Sequence, residues 1–241
     1  MFLDQAAWTV FTPRPADTAR FATAPSDAGL QILGDVASLE VLGHLLWATA
    51  FQDRGRTLIL IDLPFVTASA SGAPPSLPIA LVNASLGVPS AAALSELRSE
   101  LPLTRPSEGT VRLRTAGLDR AVGHPKAFEA KERADEDAPV WDPTQWCDWM
   151  YEIGGIAMFA APPAVLRGYA RATAEFGAFS WVGLDATEPF APDDRPLVFD
   201  RTIVARAAAL RTRRASLFPE RAHADLLGHE RAQLWELTRE C

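Results

Sequence analysis

The stretch from Asp35 to Val66 constrains the fold of this chain most. It combines an apolar segment of helix length, a polar turn at Asp53-Arg54-Gly55, and a nearly continuous run of Leu, Ile and Val from Thr57 to Val66. The Asp35 carboxylate can accept from the open N–H groups of a first helical turn. Gly55, after Gln52, tolerates the left-handed backbone that closes a helix. At about 100° per residue, Ser38, Thr49 and Gln52 fall on one polar stripe. Val36, Trp47 and Phe51 lie opposite, together with Glu40 and His44, so that side is expected to be the buried one. The apolar run reads as a central strand covered on both faces, interrupted by Asp62.

Either side of this unit, Trp8 to Thr12 and Leu30 to Leu33 read as short strands, with loop between them as far as Ala28. Thr67 to Pro78 is small and Pro-rich, and reads as a flexible loop. Ile79 to Val82 is a second apolar strand. The loop before it carries no helix, so the two strands can be antiparallel, which would put Asp62 and Asn83 at different sheet ends. A helix from Pro89 or Ser90 aligns Leu94, Leu97 and Leu101, and Thr110 to Thr115 alternates as a half-exposed strand. Residues 123–138 are polar and read as a mobile excursion. Asp142-Pro143-Thr144-Gln145 has the chemistry of a helix start, with the helix carrying Trp146, Trp149, Met150 and Ile153 to a stop at Gly154-Gly155. Ile156 to Ala160, Pro163 to Phe176 and Phe179 to Leu184 form a strand–helix–strand pattern, a βαβ unit spanning 156–184. Residues Arg201 to Arg239 read as two helices broken near Pro219. The expected architecture is α/β or α+β: one globular domain over 1–241, a mixed β-sheet with helices packed on it and a helical C-terminus.

Charge and composition narrow the setting. The net charge of −7 disfavours general nucleic-acid binding, which needs a basic footprint. The longest mostly apolar run, Ile153 to Leu166, contains two glycines and two prolines and falls short of the ~20 residues a membrane span needs. The first residues carry no basic segment ahead of an apolar run, so a cytoplasmic protein is expected. Lys126 and Lys131 are the only lysines against abundant Arg and Ala, the bias of a GC-rich, bacterial-type coding sequence. The two cysteines, Cys147 and Cys241, are too few for a disulfide or zinc framework.

The phosphate-cradling, dinucleotide, serine-elbow and zincin signatures are all missing, so no cofactor is indicated. The candidates that remain are of three kinds. Asp62 and Asp185 stand at strand ends, where ligands bind in open sheets, although strand-end carboxylates more often cap the next turn. Glu40 and His44, four apart on one helix face, could serve as an acid–base pair of a hydrolase or isomerase. The favoured reading of the two is a structural core pair, since buried polar groups are usually satisfied structurally. Joined with His223 and Glu230 they could also bind a metal, but carboxylate-bridged di-iron bundles space Glu and His by three, so no metal is assigned. The third kind is an interface. Residues 135–152 are acidic and aromatic, with Trp141 the residue expected to be exposed, while Arg195 to Arg214 holds six arginines, among them Arg206, Arg211, Arg213 and Arg214. The favoured reading is a non-enzymatic interaction or regulatory component that meets a protein partner or a second copy of itself through these stretches.

Overall fold

A computed structural model describes residues 1–14, 19–26, 29–67, 75–104, 107–133, 149–178, 187–189 and 197–200. The chain opens with a small hairpin, β1 (Phe2–Leu3) and β2 (Ala6–Ala7), followed by β3 (Thr9–Phe11). A second hairpin follows, β4 (Phe21–Ser26) and β5 (Gly29–Gly34). The helix α1 (Val36–Ala50) starts where the sequence puts it, with the Asp35 carboxylate accepting from the Ser38 N–H at 2.8 Å. Next come β6 (Thr57–Ile61), β7 (Ile79–Asn83) and α2 (Ala91–Ser99), the last capped by Ser90. Two short helices, α3 (Leu118–Gly123) and α4 (Pro125–Arg133), precede the hairpin of β8 (Met150–Ile153) and β9 (Ile156–Ala161). The described chain ends with α5 (Pro163–Ala178), β10 (Thr187–Pro189) and β11 (Leu197–Asp200).

The main sheet is mixed, with five strands in the order β3-β6-β7-β9-β8. β6 runs parallel to β3 and antiparallel to β7, and β7 runs parallel to β9. Every residue of β6, β7 and β9 is buried, because the period-two alternation feeds two cores at once. Ile59, Ile61, Ile79, Leu81 and Phe159 face the larger core, under α1 and α5. Leu58, Leu60, Val82, Ile156 and Met158 face the other, under α2 and the first hairpin, with Leu3 and Trp8. Helices therefore cover both faces of the sheet, in an α+β arrangement. The second sheet, β10-β11-β5-β4, adjoins the first where Thr67 N–H donates to the Phe21 carbonyl at 2.7 Å.

Several segments differ from the sequence expectation. Phe21 to Ser26 is a strand, not loop; Ala22, Thr23 and Ala24 are buried and Pro25 is tolerated because β4 is an edge strand. Thr110 to Thr115 forms no strand despite its alternation: Val111 is exposed and no sheet edge receives it. In the expected excursion 123–138, Pro125 to Arg133 is helical, and 134–138 lie outside the described residues. Met150 to Ile153 is a strand rather than a helix end. Gly154 and Gly155, with φ of 60° and 73°, make the tight turn of the β8–β9 hairpin instead of stopping a helix. The first strand and the helix of the expected βαβ unit are present as β9 and α5, whereas Phe179 to Leu184 lies outside the described residues. The same holds for most of the loop Thr67 to Pro78, for the start of the expected helix at Asp142, and for everything after Asp200.

Candidate functional site

α1 is rotated from its expected orientation, although Trp47 is buried as expected. Its buried side carries Ser38, Leu39, Leu42, Gly43, Leu46 and Thr49, so the polar stripe faces inward. Burying hydroxyls is tolerable when they find partners. Ser38 Oγ accepts from the Arg20 N–H at 2.8 Å, and Thr49 Oγ1 donates to the Leu45 carbonyl at 2.8 Å. Gly43 decides the rotation. A Cβ there would stand 2.9 Å from the Ala170 carbonyl oxygen and 2.9 Å from Ala174 Cβ, so α5 fits only against a bare backbone.

As a result Glu40 is exposed and His44 only half-buried. They remain neighbours, but the contact between them is local: His44 Nδ1 lies 2.8 Å from the Glu40 main-chain carbonyl. A nitrogen facing a carbonyl must carry the proton, so Nδ1 is the donor and only Nε2 is left for chemistry. The expected burial of this pair is overturned, and the Glu40 carboxylate does not orient the imidazole.

Asp62 is 5% exposed and sits just beyond β6. Its Oδ1 accepts from the Leu63 N–H at 2.6 Å, capping the short 3-10 turn Leu63–Phe65. Its Oδ2 accepts from the Leu103 N–H at 2.8 Å, which ties in the segment after α2. Both oxygens are thus committed to backbone donors. Asn83 plays the matching part after β7, with Oδ1 accepting from the Ser85 N–H at 3.1 Å. Because β6 and β7 are antiparallel, Asp62 and Asn83 lie at opposite rims and share no site.

A cluster that sequence reading missed lies at the C-terminal end of α1. Trp47 is buried, its Nε1 donating to the Ala116 carbonyl at 3.2 Å, and its ring centroid lies 5.4 Å from Phe51 and 6.0 Å from Phe128. Phe51 is 49% exposed, and the Arg167 guanidinium lies over its ring at 5.8 Å. Arg167 also forks onto Glu132, with contacts of 2.6, 3.0 and 3.1 Å, and Arg171 meets Glu129 at 3.3 Å. The available signal was two matching pairs: Glu129 with Glu132, three apart, and Arg167 with Arg171, four apart. Away from this cluster, on β8, partial desolvation holds the Tyr151 hydroxyl above the ordinary tyrosine range, although the residue as a whole is 39% exposed.

Trp141, Asp185, Arg206, Arg211, Arg213, Arg214, His223 and Glu230 lie outside the described residues. Among the described residues, no three His, Cys, Asp or Glu side chains gather as a metal would require, and no helix is long and apolar enough to cross a membrane. No protein-family model, curated protein or solved structure matches the chain, so its function has to be argued from its own residues.

Proposed function

We propose that this chain is a non-enzymatic interaction component of a bacterial-type cytoplasm, joining an arginine-bearing surface to an acidic one on a protein partner or a second copy of itself. The observation that carries this reading is the geometry at Glu40 and His44. A general base oriented by a carboxylate needs that carboxylate on its far nitrogen. Here Nδ1 faces a main-chain carbonyl and the Glu40 side chain is exposed, so the pair lacks the carboxylate-to-imidazole contact of a Glu-oriented base, which favours the interaction reading over the hydrolase or isomerase one. Asp62, the other described candidate, has both oxygens on backbone N–H groups.

The exposed Phe51 under Arg167 adds support, since aromatic and arginine side chains are the types that anchor protein interfaces. So does the uneven charge: acidic residues concentrate between Asp135 and Glu152, arginines between Arg195 and Arg214. Arg206 and Arg213, seven apart, would share a stripe if that segment is helical. The test is sedimentation across a salt series, because exposed charge attraction is screened within about 8 Å at physiological ionic strength. Association at low salt that weakens as salt rises and is lost in the Arg206→Glu/Arg213→Glu variant supports the proposal. A chain that stays monomeric throughout, and from which cross-linking recovers no partner dependent on those arginines, refutes it.

A further inference from the structure

α4 carries its contacts on one side. Phe128, Glu129 and Glu132 are half-buried, whereas Lys126, Ala127, Ala130 and Lys131 are exposed. Its backbone stands away from α5, and long side chains bridge the gap. Glu132 reaches Arg167 and Glu129 reaches Arg171, a register that sets the two helices antiparallel. Phe128 adds one aromatic contact, on Trp47. Arg171 is 7% exposed, and the Glu129 carboxylate is part of what covers it.

Two facts about magnitude follow. A nine-residue helix cannot sustain itself in water, because isolated helices below about 12–15 residues are marginal. The two ion pairs are only partly exposed, 17% and 20% for Arg167 and Glu132 and 8% and 33% for Arg171 and Glu129, so salt screens them less than surface pairs and removing a carboxylate loosens α4 more than screening does. We infer that α4 is a strap latched by ion pairs, which detaches and unwinds as a unit while the sheet beneath stays folded, uncovering Trp47 and Arg171. Docking and helicity rise and fall together, so amide exchange along α4 reads the latch directly. Local openings of this kind lie below the global unfolding free energy.

The experiment is hydrogen exchange by mass spectrometry on the full chain, at low and high salt, for the parent, Glu129→Gln/Glu132→Gln and the control Lys126→Gln. The α4 peptides are expected to be protected in the parent at low salt. They should exchange on the order of tenfold faster or more in the double Gln variant, which leaves both guanidinium groups without these carboxylates, and faster by a smaller factor at high salt, since partly buried pairs are screened less than exposed ones. The Lys126 control should behave as the parent, and peptides from β6, β7 and β9 should keep their protection throughout. Three results overturn the inference: α4 unprotected in the parent, α4 indifferent to salt and to both Gln substitutions, or α4 losing protection only when the sheet does.

Discussion

Asp62 offers the sharpest quantitative test, because its two possible roles predict opposite signs. The carboxylate accepts from Leu63 N–H at 2.6 Å and from Leu103 N–H at 2.8 Å in a site that is 5% exposed. Hydrogen bonds to a charged acceptor contribute roughly 1.5–3 kcal/mol net, and a buried donor left without a partner costs roughly 1–3 kcal/mol. Asp62→Asn preserves the shape and one carbonyl acceptor but turns an amide NH2 towards the other donor. It should cost about 2–3 kcal/mol, one charged bond lost with little room for water to replace it. Asp62→Ala removes both acceptors. The smaller side chain leaves space at the two freed N–H groups that water can fill, Leu63 and Leu103 both being half-buried, so the total should be about 3–4 kcal/mol rather than twice the Asn value. Urea unfolding followed by circular dichroism reads this as a lowered midpoint with an unchanged slope. A carboxylate retained for a ligand behaves the other way, since functional groups are commonly kept at a cost in stability. If Asp62→Asn is as stable as the parent or more so, the capping argument is wrong and Asp62 returns as a ligand candidate.

Two further outcomes are expected. Gly43→Ala gains about 1 kcal/mol of helix propensity but forces a Cβ to within 2.9 Å of α5 backbone and side chain. Overpacking of about 1–3 kcal/mol should win, giving a lowered unfolding midpoint that Ala174→Gly partly restores. A Gly43→Ala protein more stable than its parent would mean that α1 and α5 are not in this close contact. Glu40→Gln and His44→Gln should each leave stability within about 0.5 kcal/mol, as surface substitutions do; a loss several times larger, by the same urea method, would mean that the pair is buried after all.

What was legible in the sequence follows the range of the interactions involved. The Asp35 cap, the Ser90 cap and the apolar strands β6, β7 and β9 rest on neighbours within a few residues, and all were readable. The face of α1 was not. Leu, Ala and Trp surround that helix almost completely, so the choice fell to Gly43 and its fit against Ala170 and Ala174, more than 120 positions along the chain. Gly154-Gly155 was ambiguous for a different reason: paired glycines serve equally to stop a helix and to turn a hairpin, and only the pairing of β8 with β9 decides. For Asp62, the Leu63 bond was implied by the strand-end position, but the Leu103 bond spans 41 residues and left no local mark. The Glu129–Arg171 and Glu132–Arg167 pairs are equally remote, and one partner of each lay in a segment whose polarity resembled a linker.

The complete burial of β6, β7 and β9 has a bearing on where any ligand could ever be accommodated. With both faces of these strands sealed by side chains, a polar molecule cannot reach the middle of the sheet without dismantling one of two cores. Among the described residues of this sheet, only the rims are left. The reversal of direction between β6 and β7 divides each rim between strands that arrive and strands that depart, so neither collects the carboxyl ends of all the strands as an all-parallel sheet does. At each rim a departing strand has already given its terminal polar side chain to a cap, Asp62 at one and Asn83 at the other. New binding chemistry could therefore enter this scaffold by lengthening the connections that follow those caps, leaving every strand residue unchanged.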